Sequence, residues 1–178
     1  RRLAWDGATG NGQAALELAR RFERVVATDA SAGQIEHAFP HERVTYRVAP
    51  CEASGLPDAS ADLVTVAQAL HWLDFDRFYA EVRRVLVPGG VVAVWCYSLF
   101  HSDDAFTRTV HRFNDDVLSR HWPVERRWVD QGFRTIPFPF DGLPVPAFTM
   151  SVTWDLAALL AYVRTWSAVQ HLVETEGP

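Results

Sequence analysis

Lysine is missing altogether from this 178-residue chain, whose 17 basic side chains are all arginines. That absence excludes several chemistries at once. There is no Walker lysine for nucleotide phosphates, no amine for a Schiff base and no kinase strand lysine. Cysteine is scarce, with only Cys51 and Cys96. Both sit in apolar surroundings and form neither a C-x-x-C pair nor a disulfide framework. They read as buried thiols in a reducing compartment, so a cytoplasmic location is expected. No apolar run approaches the length of a membrane span, and no signal peptide is visible. The net charge is -5, and no basic face is there to meet nucleic acid. No His, Cys, Asp or Glu set has ligand spacing for zinc, so no metal is expected, and no G-x-S-x-G elbow exists. The chain opens on Arg1, and its one methionine is Met150. It is therefore expected to be a fragment, short of an N-terminal lead-in and of a terminal sheet strand.

What is present is a one-domain length in which 48% of residues are hydrophobic. The first half alternates strand with helix. Strands are expected at residues 3–5, 25–28, 44–49, 63–67 and 91–95, each a short apolar or alternating run. Helices are expected at 13–22, from the spacing of Ala15, Leu18, Ala19 and Phe22, and from the Ser31 cap to about residue 39, where Pro40 stops it. A third, at 75–86, is broken by Pro88-Gly89-Gly90. This order predicts an α/β fold: a doubly wound, mostly parallel sheet flanked by helices.

After Tyr97 the pattern changes to a mixed helix at 103–120 and a stretch rich in proline and aromatics at 122–146. A sixth strand is expected at 148–154 and a last helix, capped by Asp155, at 156–173. Residues 1–97 read as the α/β core, and 98–178 as a continuation of the same domain.

The informative turn runs from Asp6 through Gly7, Ala8, Gly10 and Gly12 to Gln13, between the first strand and helix. Gly10 and Gly12 allow a tight turn whose N–H groups approach a ligand, at the positive end of the helix. Asp6 places a carboxylate beside it. A ligand served by both carries an amine and a carboxylate, as the methionine half of S-adenosylmethionine does. Asp29 ends the second strand, 17 residues after Gly12, where a carboxylate can take both hydroxyls of a ribose.

These residues resemble the class I S-adenosylmethionine-dependent methyltransferases of the Methyltransf_11 type. Within them the chain is similar to the branch that includes trans-aconitate methyltransferase-like proteins. The stretches that carry the likeness are WDGATGNGQAA (5–15), VVATDAS (25–31), APCEASGLPDASADLVTVAQALHWLD (49–74), EVRRVLVPGGVVAVW (81–95) and YVRTWSAVQ (162–170). The family turn has glycine where this chain has Ala8, which puts a methyl group near the methionine tail. The resemblance implies that Asp6, Gly7, Ala8, Gly10, Gly12 and Gln13 frame the methionine moiety. It implies Asp29, Ala30 and Ser31 at the ribose, and Cys51, Glu52 and Ala53 beside the adenine. Gln68 and Ala69 would face the donor, with His71 and Trp72 near the methyl group.

The implied reaction is in-line methyl transfer to a small-molecule acceptor, leaving S-adenosylhomocysteine. A carboxylate acceptor needs no base, whereas a phenol, hydroxyl or amine would need one. His71 is the candidate base, and the alternative is that it only walls the pocket. Trp122, Trp128 and Phe133 could line an acceptor pocket, with Arg126, Arg127 and Arg134 for an acidic acceptor.

Two rival readings stand beside this one. Residues 10–15 also satisfy G-x-G-x-x-A, so an NAD(P)-dependent oxidoreductase is the enzyme rival. Against it, Asp6 would crowd a pyrophosphate, and no Tyr-x-x-x-Lys exists. The other rival is a catalytically inactive cofactor-binding partner protein.

Overall fold

The structure is a computed structural model that describes residues 1–101 and 105–177. Its strands are β1 (Leu3–Gly7), β2 (Arg24–Asp29), β3 (Val44–Val48), β4 (Ala61–Ala67) and β5 (Leu86–Trp95). They form one sheet in the order β3-β2-β1-β4-β5, and every neighbouring pair is parallel. The order reverses between β1 and β4. In open α/β sheets, ligands bind outside the carboxyl ends of the strands at such a switch point.

The alternation of side chains explains the two layers. Ala4 and Asp6 on β1, Val25 and Ala27 on β2 and Leu63 and Thr65 on β4 are in register and share one face. Helix α1 (Gln13–Ala19) covers that face, with Ala15, Ala19 and Phe22 packed on Ala4, Val25 and Ala27. Trp5 points the other way, where its ring lies 6.4 Å from Phe78 of α3 (Phe75–Val85). A central strand with both faces covered has no solvated side, so β1 is buried throughout. Asp74 caps α3 by accepting the Arg77 N–H at 3.1 Å.

Several boundaries differ from the sequence expectation for identifiable reasons. Helix α1 ends at Ala19, because the Arg21 and Phe22 amides turn back to Leu18. Helix α2 (Ala32–Glu36) is capped by Ser31 but stops early, since the Phe39 amide is drawn away to the Asn11 carbonyl. β5 begins before Pro88-Gly89-Gly90 rather than after it. An irregularity in its pairing with β4 accommodates those residues, and a side chain at Gly90 would lie 2.9 Å from the Val87 carbonyl. The chain between β3 and β4 contains no helix.

The chain divides into two compact units: Arg1–Tyr97 with Trp128–Pro139, and Ser98–Arg127 with Phe140–Pro178. The first is the sheet and its helices. The second is helical, with α4 (Ala105–Phe113), a wider π-type turn at Asn114–Leu118, α6 (Leu156–Arg164) and α7 (Ser167–Glu176). A short helix α5 (Arg126–Asp130) lies where the chain passes from one unit to the other. Val110, Leu118, Trp166 and Ala168 form the core of the second unit, with Trp122 and Tyr162 against it.

The helix expected from Asp103 begins outside the described residues. Its described part gives way at Asn114, whose side chain accepts the Trp122 indole N–H at 2.9 Å. The last helix is broken at Thr165 and Trp166, where the Thr165 hydroxyl donates to the Tyr162 carbonyl at 2.6 Å. Residues 148–154 alternate as a strand should, yet they form none. Phe148 is 82% exposed, and Pro144 and Pro146 just before it offer no N–H to a ladder.

Candidate functional site

Asp6 is the most enclosed carboxylate of the sheet unit, at 1% exposure. The sequence places it beside the turn as a carboxylate for a ligand's amine, and in the structure both of its oxygens have protein partners. One oxygen accepts the Thr65 hydroxyl at 2.6 Å and the other the Thr9 hydroxyl at 2.5 Å. The Ala15 amide, in the first turn of α1, also favours its charged form. Gly12 sits at the N-cap of α1 and has no side chain to cap with, and the Asp6 carboxylate lies beside that positive helix end. Burial raises its pKa above the usual carboxylate value, against the lowering effect of these donors.

Asp29 holds the other side of the same turn. Its Oδ2 accepts the Gly10 amide at 2.9 Å and its Oδ1 the Ser31 amide at 2.9 Å. The side chain is half-buried, and each oxygen keeps a second lone pair. Thr9 donates its amide to the Thr28 carbonyl at 2.9 Å. The turn is thus tied to β1, β2 and β4 together.

Gly12 has a reason that the sequence did not reveal. It takes φ of +93°, and a β-carbon there would lie 2.2 Å from the Tyr46 hydroxyl oxygen. Tyr46, on β3, donates to the Phe39 carbonyl at 2.8 Å. The close approach at Gly12 is therefore made by a tyrosine. Ala8 sits at φ of +51°, in the left-handed region that glycine occupies without strain.

The segment after β3 reaches the turn. Cys51 is buried, and its sulfur lies 2.9 Å from where a Gly7 side chain would begin. Burial pushes the thiol up to about 12, with the nearby Ala8 amide opposing it only weakly. Glu52 Oε1 accepts the Asp74 amide at 3.0 Å. The Ser54 amide and hydroxyl donate to the Glu81 carboxylate at 2.8 and 2.6 Å.

After β4, Gln68 takes φ of +56°. Non-glycine residues in such conformations cluster at functional sites. Ala69 caps a single 3₁₀ turn, Leu70–Trp72. His71 lies against two rings, 4.8 Å from Trp72 and 5.8 Å from Phe133 by centroid. The structure therefore gathers the expected residues at the carboxyl ends of β1 to β4. It also adds Thr9, Thr65, Tyr46, Ser54 and Glu81, which sequence reasoning missed. Of these only Tyr46 had a visible signal, its place in an alternating strand.

The expected acceptor residues are divided. Trp128 packs edge-on against Phe75 at 6.0 Å, and Phe133 lies on His71. Arg134, in the same unit, is exposed. In the other unit the Arg126 guanidinium covers the Trp122 ring at 4.2 Å, so that pair already contact each other. Arg127 belongs to that unit as well.

A doubly wound parallel sheet with a glycine turn after β1 and an acid closing β2 defines a nucleoside-binding class of protein. Residues 5–94, about half of the chain, match the methyltransferase domain family, Methyltransf_11, and the chain belongs to that family. It is 47% identical to a proposed type II methyltransferase of known structure from Anaeromyxobacter dehalogenans. That match has a TM-score of 0.91 and covers 100% of this chain and 76% of the other. It is 32% identical over 170 residues to a proposed methyltransferase of Dictyostelium discoideum, covering 94% of this chain and 65% of the relative. The methyltransferase cfoB of Aspergillus candidus is 32% identical over 159 residues, covering 81% and 50%. The chain thus spans less than two thirds of either curated relative. The fold is that of the class I methyltransferases. No helix of the described residues is long and apolar enough to cross a membrane.

Proposed function

We propose that this protein binds S-adenosylmethionine and transfers its methyl group to a small-molecule acceptor. The observation that supports this most is the pair of acids tied to one turn, Asp6 through the Thr9 hydroxyl and Asp29 through the Gly10 amide. The residues present suit such a donor. Asp29 is half-buried with lone pairs to spare for the ribose hydroxyls, and Ala30 and Ser31 are exposed beside it. Gly10 leaves open space, with only the Gln34 amide oxygen 3.8 Å from its β-carbon position. When bound, the donor supplies a methyl group already activated on a sulfonium.

The chain's own work is binding and alignment. Asp29 holds the ribose. The turn from Gly7 to Gln13 takes the amino-acid tail, with Asp6 bracing it from beneath and Ala8 limiting its width. Cys51, Glu52 and Ala53 border the base. Gln68 and Ala69 face the donor, and His71 with Trp72 walls the reacting methyl on the acceptor side. Alignment of this kind can supply roughly 7–11 kcal/mol of a bimolecular barrier. A carboxylate acceptor needs no proton removed, which fits an imidazole packed against Trp72 and Phe133 as a wall. The same turn suits a pyrophosphate poorly, because the Asp6 carboxylate sits directly against it, bonded to Thr9, where it would face a second anion.

Isothermal titration tests this reading. S-adenosylhomocysteine should bind, Asp29→Ala should weaken it at least about tenfold, and NADH should give no heat. NADH binding without S-adenosylhomocysteine binding would overturn the reading. Turnover that survives His71→Ala across pH identifies a wall, and a lost basic limb identifies a base.

A further inference from the structure

The connection from β3 to β4 has neither helix nor strand over residues 49–60, yet it is held along its length. Glu81 of α3 is the centre of the hold, at 8% exposure. Its Oε1 accepts the Ser54 amide, the Ser54 hydroxyl and Arg84 Nη2 at 2.8, 2.6 and 2.7 Å, and its Oε2 accepts Arg84 Nε at 2.8 Å. The other terminal nitrogen of Arg84 reaches Asp58 at 2.6 Å. Ser54 Oγ in turn accepts the Leu56 amide at 3.2 Å. The Ala59 and Ser60 amides then follow the Arg84 and Val85 carbonyls at 2.9 and 2.8 Å. At its near end the same segment touches the glycine turn through Cys51, and α3's cap through Glu52.

Only the Glu81 half of this ion pair is buried, Arg84 being 37% exposed, and a pair of this kind contributes little net stability. What this one does supply is position, for a segment without a ladder of its own. Four hydrogen bonds converge on the Glu81 carboxylate and a fifth joins Arg84 to Asp58, all charge-assisted, the kind that fixes geometry most strongly.

We infer that Glu81 is a positioning residue for the donor site: with Arg84 it clasps Ser54 and thereby sets where residues 51–53 stand against the turn. The inference rests on the reading of that site as a place for S-adenosylmethionine. Glu81 touches no ligand in this scheme. It acts through Ser54.

The test measures binding of S-adenosylhomocysteine and of S-inosylhomocysteine, which differs only in the base, by calorimetry on the full protein. Glu81→Gln removes the charge at nearly constant volume, and Ser54→Ala removes the bridging hydroxyl. Val110→Ala, in the core of the other unit, serves as a control for general loosening. The expected result is an S-adenosylhomocysteine Kd raised about tenfold by Glu81→Gln and three- to fivefold by Ser54→Ala. The wild-type preference between the two bases should shrink in both, and Val110→Ala should leave both Kd values within twofold. If the two clasp variants bind within twofold of wild type and keep its base preference, the inference is overturned. If Glu81→Gln does not fold, Ser54→Ala decides alone. A wild-type protein that binds neither ligand overturns the donor assignment itself, and the role of the clasp with it.

Discussion

Gln68 and Tyr97 hold each other across the ends of β4 and β5, Gln68 Nε2 donating to the Tyr97 carbonyl at 3.0 Å and the Tyr97 amide donating to Gln68 Oε1 at 3.0 Å. A side chain here continues the sheet ladder past its last backbone pair, from a residue whose own backbone is strained at φ of +56°. Two lost hydrogen bonds should cost about 1–2 kcal/mol in Gln68→Ala. Gln68→Gly loses the same bonds but releases the strain, so it should be the more stable of the two. Urea denaturation gives the order, and faster hydrogen exchange at the Tyr97 amide should accompany both. An alanine variant more stable than the glycine one would contradict this account.

Gly12→Ala should lose about 2–4 kcal/mol, since it combines a left-handed backbone with a clash against Tyr46. Adding Tyr46→Phe removes the hydroxyl at 2.2 Å but leaves ring carbons at 2.8 and 2.9 Å. The rescue should therefore be partial. A double-mutant cycle by chemical denaturation measures it, and strict additivity would show that Tyr46 is not the neighbour that matters.

Ala8→Gly tests the departure from the family's turn. Releasing φ of +51° should return about 1–2 kcal/mol, and the freer unfolded chain should take back about 0.4–1 kcal/mol. The net change should be a gain of up to about 1.6 kcal/mol. S-adenosylhomocysteine should bind at least as tightly as to wild type. A clear loss of stability would mean that the methyl group of Ala8 packs usefully.

The acid limb of the stability curve should belong largely to Glu81. Arg84 and Ser54 hold its carboxyl at about 2, below the ordinary 4.5. A depressed carboxylate contributes stability above its unfolded pKa and loses it as pH falls through the folded one. The loss should run from about pH 4.5 down to about 2, and Glu81→Gln should flatten it. Asp6 acts in the opposite sense. Its pKa is raised by burial, so protonation on mild acidification favours the folded state, and Asp6→Asn should remove that part of the slope. Urea midpoints against pH, at constant m, separate the two.

Much of the sheet unit was legible because its signals are local. Apolar runs ending in Asp6 and Asp29, with a glycine turn and an amphipathic helix after the first, need no tertiary knowledge. The unread parts depend on partners distant in sequence. Thr65 stands 59 residues from the Asp6 it serves, and only the β1–β4 register brings them together. Gly12 looked like a ligand's glycine because its neighbour Tyr46 lies on another strand. The clasp of Glu81 on Ser54 spans 27 residues and has no periodicity to announce it. At 148–154 the reverse happened: the pattern was right for a strand, but a pattern cannot guarantee a partner edge.

Trp5 and Asp6 are consecutive, and each is matched to a group on a different neighbouring strand: the indole to the Thr28 hydroxyl at 2.9 Å, the carboxylate to Thr65. A slip of β1 by one residue would exchange their faces. The indole would then be offered to the helix end and the carboxylate to the aromatic layer, and both would lose their partners. The middle strand thus carries its own check against misalignment during folding. The same check fixes the loop that leaves that strand, so a chain that folds wrongly there cannot assemble a half-correct site.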